Sequence, residues 1–363
     1  MKICFVGPAT SAHIIKWCSW FNMHGHKTYV ISFAPGTIDN TEVYSVDVGV
    51  DPDGNDIGKI KYLFAGKKIK RIIRTISPDI INVHYATSYG ATMALSGIKN
   101  YILSVWGSDI YDFPNRSFLH RSLLKFSLRR AAYLFSTSKA MADEASKFTD
   151  KDFKITPFGI DMDLFNPDKR NRQSDRPFII GAVKALTDVY GIEYILKAAS
   201  ILKNEDPEMD FLIRISGDGP KGTELKQLTA DLGLEDITTF LGRIPQEKAA
   251  DEWANMDVAI NPSVSYESFG VAVIEAQACG TPVIVTDVAG LLETTLPGVT
   301  SMVVPKKDEK AIAEAIRTLY YDSDLCRRMG NAGRDFVVKE YELNYCFEHI
   351  ENLFSQVCRG ASK

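Results

Sequence analysis

Residues 258–287 read VAINPSVSYESFGVAVIEAQACGTPVIVTD. The apolar run VAINPS opens the stretch and PVIVTD closes it. Between them, Gly270 to Cys279 has the composition of a helix, stopped by Gly280 and Pro282 in the order expected at a C-terminus. Two buried strands joined by a helix form a unit of a parallel sheet. Short apolar runs continue this rhythm on either side. FIIGAV at 178–183, FLIRIS at 211–216 and ITTFLG at 237–242 precede it. KICFVG at 2–7, TYVISF at 28–33, DIINVHY at 79–85 and YILSVWG at 101–107 lie further upstream. The pattern predicts an α/β protein.

The polar stretch PDKRNRQSDRP at 167–177 interrupts the rhythm and reads as a linker. Two doubly wound domains are therefore expected, 1–166 and 167–339. A C-terminal segment, 340–363, carries helical apolar spacing through Tyr341, Tyr345, Phe347, Ile350, Leu353, Phe354 and Val357 and is expected to pack back on the first domain. In doubly wound sheets ligands sit outside the carboxyl ends of the strands, so two such domains predict a deep cleft between them. A length of 363 residues accommodates both domains.

Composition narrows the function. With 42 Lys+Arg against 46 Asp+Glu and 45% apolar residues, the chain is neither disordered nor a general nucleic-acid binder. Charge is nevertheless uneven, since residues 59–154 hold 17 basic against 7 acidic side chains. LFAGKKIKRIIRTI at 63–76 and RSFLHRSLLKFSLRRAAYLF at 116–135 both read as amphipathic helices. The second interleaves Arg116, Arg121, Lys125, Arg129 and Arg130 with Phe118, Leu119 and Phe126, a composition suited to an anionic membrane surface. Solvated helix faces account for the same pattern. Six cysteines without a Cys-x-x-Cys pair point to a reducing compartment and away from structural zinc. Gly7 and Pro8 interrupt the N-terminal apolar run before a signal-peptide core forms, and no apolar stretch approaches the ~20 residues that span a bilayer. A cytoplasmic protein is expected, with attachment to the inner membrane face left open.

The loop before the 270–279 helix is the chemical centre. Backbone N–H groups of Ser268, Phe269 and Gly270 at a helix start suit an anion, and a diphosphate fits that description. Glu267 is placed to accept hydrogen bonds from sugar hydroxyls, and Glu275, eight residues on, from a ribose diol. Spacing alone leaves equally open a helix-end carboxylate beside a solvated one.

This run resembles the Glu-x7-Glu motif of the retaining nucleotide-sugar glycosyltransferases of family 4, which have the GT-B fold of two Rossmann-like domains. The resemblance extends over nearly the whole chain. TPFGIDMDLFNP at 156–167 resembles the family's interdomain segment, through Gly159, Asp161 and Phe165. ISGDGP at 215–220, FLGRIP at 240–245 and GTPVIVTDVAG at 280–290 resemble its second-domain loops. It implies that Glu267 lies by the donor sugar and Glu275 by the nucleotide ribose. It also implies donor contacts at Gly181, Gly217 and Arg243. In GAVKALTDVYG at 181–191, Lys184 fills the first cationic place of the diphosphate grip, while the second falls on Val189. Arg214 and Arg243 are the candidates to replace that missing charge. Gly7 occupies the position of a glycine-rich loop near the diphosphate, with a Pro8 turn as the alternative reading.

His84, at the end of DIINVHY, and Trp106 and Asp109, after YILSV, stand at strand carboxyl ends and are expected to face the cleft on the acceptor side. Family members often carry a His where Trp106 stands, so a flat platform against a sugar face is expected instead, with Asp109 accepting hydroxyl hydrogen bonds. Core packing and turn stabilisation remain open for these three, and His13 reads as a core or helix-surface histidine. The implied reaction moves a sugar from a nucleoside diphosphate, most often UDP, to a glycan or lipid-linked hydroxyl with retention, in cell-envelope polysaccharide or glycolipid synthesis. It implies front-face attack without a protein nucleophile, and no metal or other cofactor is expected. A nucleotide-sugar binder with little turnover, or an epimerase or phosphorylase of the same fold, stands as the alternative.

Overall fold

A computed structural model of the chain describes residues 1–46, 65–170 and 176–361. Residues 63–64 of the first basic segment and 171–175 of the linker lie outside these. The chain divides into two compact units, Met1–Phe158 with Phe347–Lys363, and Gly159–Cys346.

Among the described residues the first unit holds seven parallel strands: β1 (Lys2–Val6), β2 (Lys27–Ser32), β3 (Glu42–Ser45), β4 (Ile80–His84), β5 (Ile102–Val105), β6 (Tyr133–Ser136) and β7 (Phe153–Ile155). Their order is β3-β2-β1-β4-β5-β6-β7. The described residues of the second unit form six: β8 (Phe178–Val183), β9 (Phe211–Ser216), β10 (Thr238–Gly242), β11 (Val258–Asn261), β12 (Val283–Thr286) and β13 (Ser301–Val304). Their order is β10-β9-β8-β11-β12-β13, again parallel throughout. Each sheet reverses direction at its centre, between β1 and β4 and between β8 and β11. Those switch points open a crevice at the strand carboxyl ends. Both units are thus doubly wound and Rossmann-like.

The strands are the near-continuous apolar runs expected when helices cover both faces of a sheet. β1 is buried from Ile3 to Val6, and β12 along its full length. The central strands pair in register, Ile3 with Thr28 and Ile80, and Ile180 with Val258 and Ile213, while β10 shifts against β9 between Phe240 and Gly242. Several helices begin on a capping oxygen: Ser138 accepts from Met141 N–H, Asp308 from Ala311 and Asp322 from Leu325.

Three boundaries depart from expectation. The units divide at 158/159 rather than 166/167, because Ile160 exchanges backbone hydrogen bonds with Tyr341 and Leu343 and Phe165 is buried within the second unit. The 116–135 segment is helical only over Phe118–Arg130. At Ala131 the chain turns extended, and the following YLFS becomes β6. The C-terminal segment is two helices, Ser323–Tyr341 and Leu343–Ala361, broken at Glu342, whose ψ of 139° leaves the helical region. From Phe347 onward it belongs to the first unit, where Phe347 and Phe354 pack on Trp17 and Phe21.

Candidate functional site

In the second unit the two central strands of the switch point each deliver one charged side chain. Lys184 follows β8, and Glu267 lies six residues beyond β11. Lys184 Nζ donates to Glu267 Oε2 at 2.7 Å, with the side chains 12% and 8% exposed. Burial, the largest single influence, pulls the Lys184 ammonium down. The nearby Glu267, Tyr190 and Glu275 together outweigh it, so the net shift is upward and the cation is fixed.

The surroundings hold this pair in place. Ser263 Oγ, fully buried, lies 3.2 Å from Asn261 Oδ1 and 3.4 Å from Glu267 Oε2, its one proton shared between the two acceptors. Thr286 Oγ1 donates to the Ser263 carbonyl at 2.6 Å, tying the loop to β12. Gly290 passes so close to the Glu267 carbonyl that any Cβ there would overlap it. Gly270 takes φ +81° immediately before the helix Val271–Ala278, a turn an L side chain resists. Tyr190 completes the arrangement: its ring centroid lies 4.3 Å from Lys184 Nζ, a cation–π contact.

Sequence reasoning missed Tyr190 and Gly290. Tyr190 sits one residue beyond the vacant cationic place at Val189, and no motif flagged an aromatic there. Gly290 ends a segment already singled out as a family match, which was the available signal. Val189 is a structural residue: its carbonyl accepts from Val264 N–H at 2.9 Å, locking the 187–191 turn to the loop after β11.

The other expected donor residues divide. Glu275 is half-buried on the helix Val271–Ala278, where its Oε2 accepts from Trp253 Nε1 at 3.3 Å. It is near enough to Lys184 to raise the ammonium's pKa. Gly217 lies against the Lys184 carbonyl. Gly181 is a correction. It lies inside β8 under the Met256 side chain, making room for packing rather than for a donor. Phe269 is 1% exposed, with its ring edge-on to Tyr341 at 5.4 Å, so its side chain serves the core. Of the two substitute cations, Arg214 is committed to Glu252 through bonds of 2.8 and 2.6 Å, and Arg243 is exposed.

In the first unit, β1, β4 and β5 end around an aromatic cluster. Trp106 is half-buried, with ring centroids at 4.9 Å to His84, 4.9 Å to Tyr85, 5.5 Å to His13 and 6.0 Å to Phe158. His13 stacks on Phe158 at 3.9 Å. Burial, aided by Lys16, lowers its pKa to about 4. Gly7 follows β1 directly above His84.

Two acceptor-side expectations are corrected here. His84 is fully buried between Phe5, Trp17 and Trp106, and neither ring nitrogen has a hydrogen-bond partner. Burial, with a smaller contribution from His13, lowers its pKa to about 3, so it is a neutral core group. Asp109 is also buried. Its carboxylate accepts from the backbone N–H groups of Ala86 at 2.8 Å, Trp106 at 3.1 Å and Gly107 at 2.8 Å. Burial raises its pKa despite those bonds. Asp109 ties two loops together instead of meeting a sugar.

Comparison with known proteins shows the family to which this fold belongs. The model of Glycosyl transferases group 1 matches residues 165–336, and that of Glycosyl transferase 4-like matches residues 2–138. The chain belongs to the group 1 glycosyl transferases.

D-inositol 3-phosphate glycosyltransferase of Paenarthrobacter aurescens is 33% identical over 211 residues, 55% of this chain and 52% of that protein. The chain spans about half the length of this and similar curated relatives. Among solved structures, sucrose-phosphate synthase from Thermosynechococcus elongatus matches with a TM-score of 0.83 at 21% identity, over 99% of this chain and 100% of that one. Anabaena Alr3699/HepE in complex with UDP matches with a TM-score of 0.79 at 18% identity, over 98% and 100%. At these identities the likeness is one of fold, that of the GT-B class of paired Rossmann-like domains.

Proposed function

We propose that the chain transfers a glycosyl group from a nucleoside diphosphate sugar to a hydroxyl acceptor with retention of anomeric configuration. The observation that carries this reading is the buried Lys184–Glu267 pair at the switch point of the second sheet, capped by the Tyr190 ring. A fixed ammonium stabilises a departing diphosphate most when the sugar–oxygen bond is breaking, since negative charge then accumulates on the leaving oxygen. Glu267 orients that ammonium and accepts hydrogen bonds from the donor sugar. Glu275, about one turn into the helix Val271–Ala278, accepts from the nucleotide ribose.

In front-face transfer the anomeric carbon–phosphate oxygen bond breaks as the acceptor oxygen bonds on the same face. The acceptor proton passes to the departing phosphate oxygen, and no protein nucleophile is consumed. Lys184 supplies the charge a divalent ion otherwise brings, so turnover is expected to survive chelation. UDP is the favoured nucleotide, as Alr3699/HepE was solved with it. The acceptor is a glycan or lipid-linked hydroxyl of cell-envelope polysaccharide or glycolipid synthesis; the relative named for an inositol phosphate supports a polyol hydroxyl as the accepting group.

A screen of UDP-, GDP-, TDP- and ADP-sugars by thermal shift, followed by calorimetry, tests the donor assignment. Stabilisation by one nucleotide class is expected, and Glu275→Gln should weaken it. Absence of any shift, or an unaffected Gln variant, would displace the site. Val189 in place of a second cation favours a second reading, nucleotide-sugar binding without turnover. Acceptor-dependent release of nucleoside diphosphate would exclude it.

A further inference from the structure

Three helices of the first unit lie side by side, Gly66–Ile76, Ser88–Ser96 and Phe118–Arg130, the middle one packed against both neighbours. Their sequences, GKKIKRIIRTI, SYGATMALS and FLHRSLLKFSLRR, contain nine Lys or Arg and no Asp or Glu. Lys67, Lys68, Arg71 and Arg74 are exposed on the first, and Arg121, Lys125, Arg129 and Arg130 on the third. Solvated helices usually mix both signs, which pair at i,i+4 and limit self-repulsion. This wall carries one sign only.

At the N-terminus of the third helix two large apolar side chains stand in solvent: Phe118 is 80% exposed and Leu119 77%. They are not on a loose end. Ser117 Oγ accepts from His120 N–H and lies 2.7 Å from His120 Nδ1, while the His120 ring meets Phe113 edge-on at 4.7 Å. Arg121 lies over the Phe148 ring at 5.3 Å. The turn is anchored from behind while Phe118 and Leu119 face outward. Phe118, Arg121, Lys125 and Arg129 then follow one another along a single stripe of the helix at intervals of three and four.

We infer that this face docks on an anionic lipid bilayer, with Phe118 and Leu119 entering the acyl boundary and the basic stripe lying among the headgroups. Charge complementarity selects the occupant: a one-signed basic wall is matched by a continuous anionic plane, and an adjacent Phe-Leu pair gains from burial in hydrocarbon. Position adds a consequence. β5 feeds through residues 106–117 into this helix, so its N-terminal turn lies at the carboxyl-end edge of the sheet, the edge where Trp106 stands. A hydroxyl carried on a lipid would be presented along the same edge.

The inference goes beyond the proposed transfer and stands apart from it, since its test reads no turnover. The full chain is sedimented with vesicles of phosphatidylcholine alone and with an equal mixture of phosphatidylcholine and phosphatidylglycerol. It should pellet with the mixture, remain in solution with phosphatidylcholine, and release as salt is raised. Phe118→Ser with Leu119→Ser should reduce partitioning about tenfold per side chain. Arg121→Glu with Lys125→Glu should reduce it at least about fivefold per charge. All four positions are exposed, so unchanged circular dichroism and an unchanged thermal transition would show an intact fold. Wild type remaining in solution with both vesicle types would overturn the inference. So would a double-serine variant that pellets as well as wild type, since the apolar pair would then have no part in docking.

Discussion

At the level of single residues, the molecule places charge where water cannot screen it. Removing Lys184 strands Glu267 in a site 8% exposed, and an uncompensated buried carboxylate costs about 3–5 kcal/mol. Lys184→Ala should therefore lower the unfolding free energy by that order in urea titration, besides reducing turnover. Unchanged stability would mean that water reaches the pair. Tyr190 acts through Lys184, and a cation–π contact in a desolvated site is worth about 1–2 kcal/mol. Tyr190→Phe keeps the ring and should retain near-normal kcat, whereas Tyr190→Leu should lower kcat about five- to thirtyfold. Equal rates in the two variants would rule out a role for the ring face. His84 offers a pH test. With its pKa lowered from 6.5 to about 3, only the unfolded chain takes up its proton as pH falls below 6.5. Its contribution to stability is intact above that value. It is lost on acidification at up to about 1.4 kcal/mol per pH unit, until the folded pKa is reached. His84→Phe should make stability decline less steeply between pH 6.5 and 4, leaving the slope due to His13. A slope unchanged from wild type would show that His84 is already protonated or solvated.

At the level of elements, Asp109 gathers the turns after β4 and β5 through three backbone N–H groups. Asp109→Ala leaves those donors without their acceptor and should cost about 2–3 kcal/mol, with faster amide exchange at Ala86, Trp106 and Gly107. Exchange rates equal to wild type would show that the turns hold without it. The sequence marked Asp109 and His84 because both follow strand ends, where ligands gather. It carried no sign of which way the side chains turn, and both turn inward. The positions of Lys184 and Glu267 beyond β8 and β11 were readable because flanking motifs marked those loops. The Tyr190 contact was not, because it depends on a turn bringing the ring over Lys184. Among the strands, the continuous apolar runs of β1, β4, β8 and β12 were plain. β6 was hidden, since AAYLF extends the helical spacing of the preceding residues and only pairing with β5 and β7 makes it extended. β7 has three residues, too few to show a period, and β3 is an edge strand, EVYS, whose charged and polar ends break the apolar run.

At the level of the whole molecule, sequence order and folding unit part company. The first unit is built from residues at both ends of the chain, and its aromatic core closes only when the last helix arrives. Phe347, Ile350 and Phe354 are fully buried. Phe354 stacks on Phe21 at 5.5 Å and on Phe135 at 6.2 Å, and Phe347 meets Trp17 edge-on at 5.7 Å. The helical spacing of 340–357 foretold the contact, because an apolar stripe beyond the last strand needs a surface to cover. It did not foretell the break at Glu342, which lets the preceding helix finish the second unit. There, Arg334 Nη1 donates to the carbonyls of Ala278 and Phe165 at 2.7 and 2.9 Å. A truncation after Tyr341 should consequently expose Trp17, Trp20 and Phe21, bind hydrophobic dye and lose the first unit's thermal transition, while nucleotide-sugar binding by the second unit persists. Phe354→Ala in the full chain is the milder form of the same test. An emptied aromatic site costs about 3–5 kcal/mol, so that variant should stay folded but melt earlier. If the truncated chain keeps both transitions, the last helix covers the first unit without completing it.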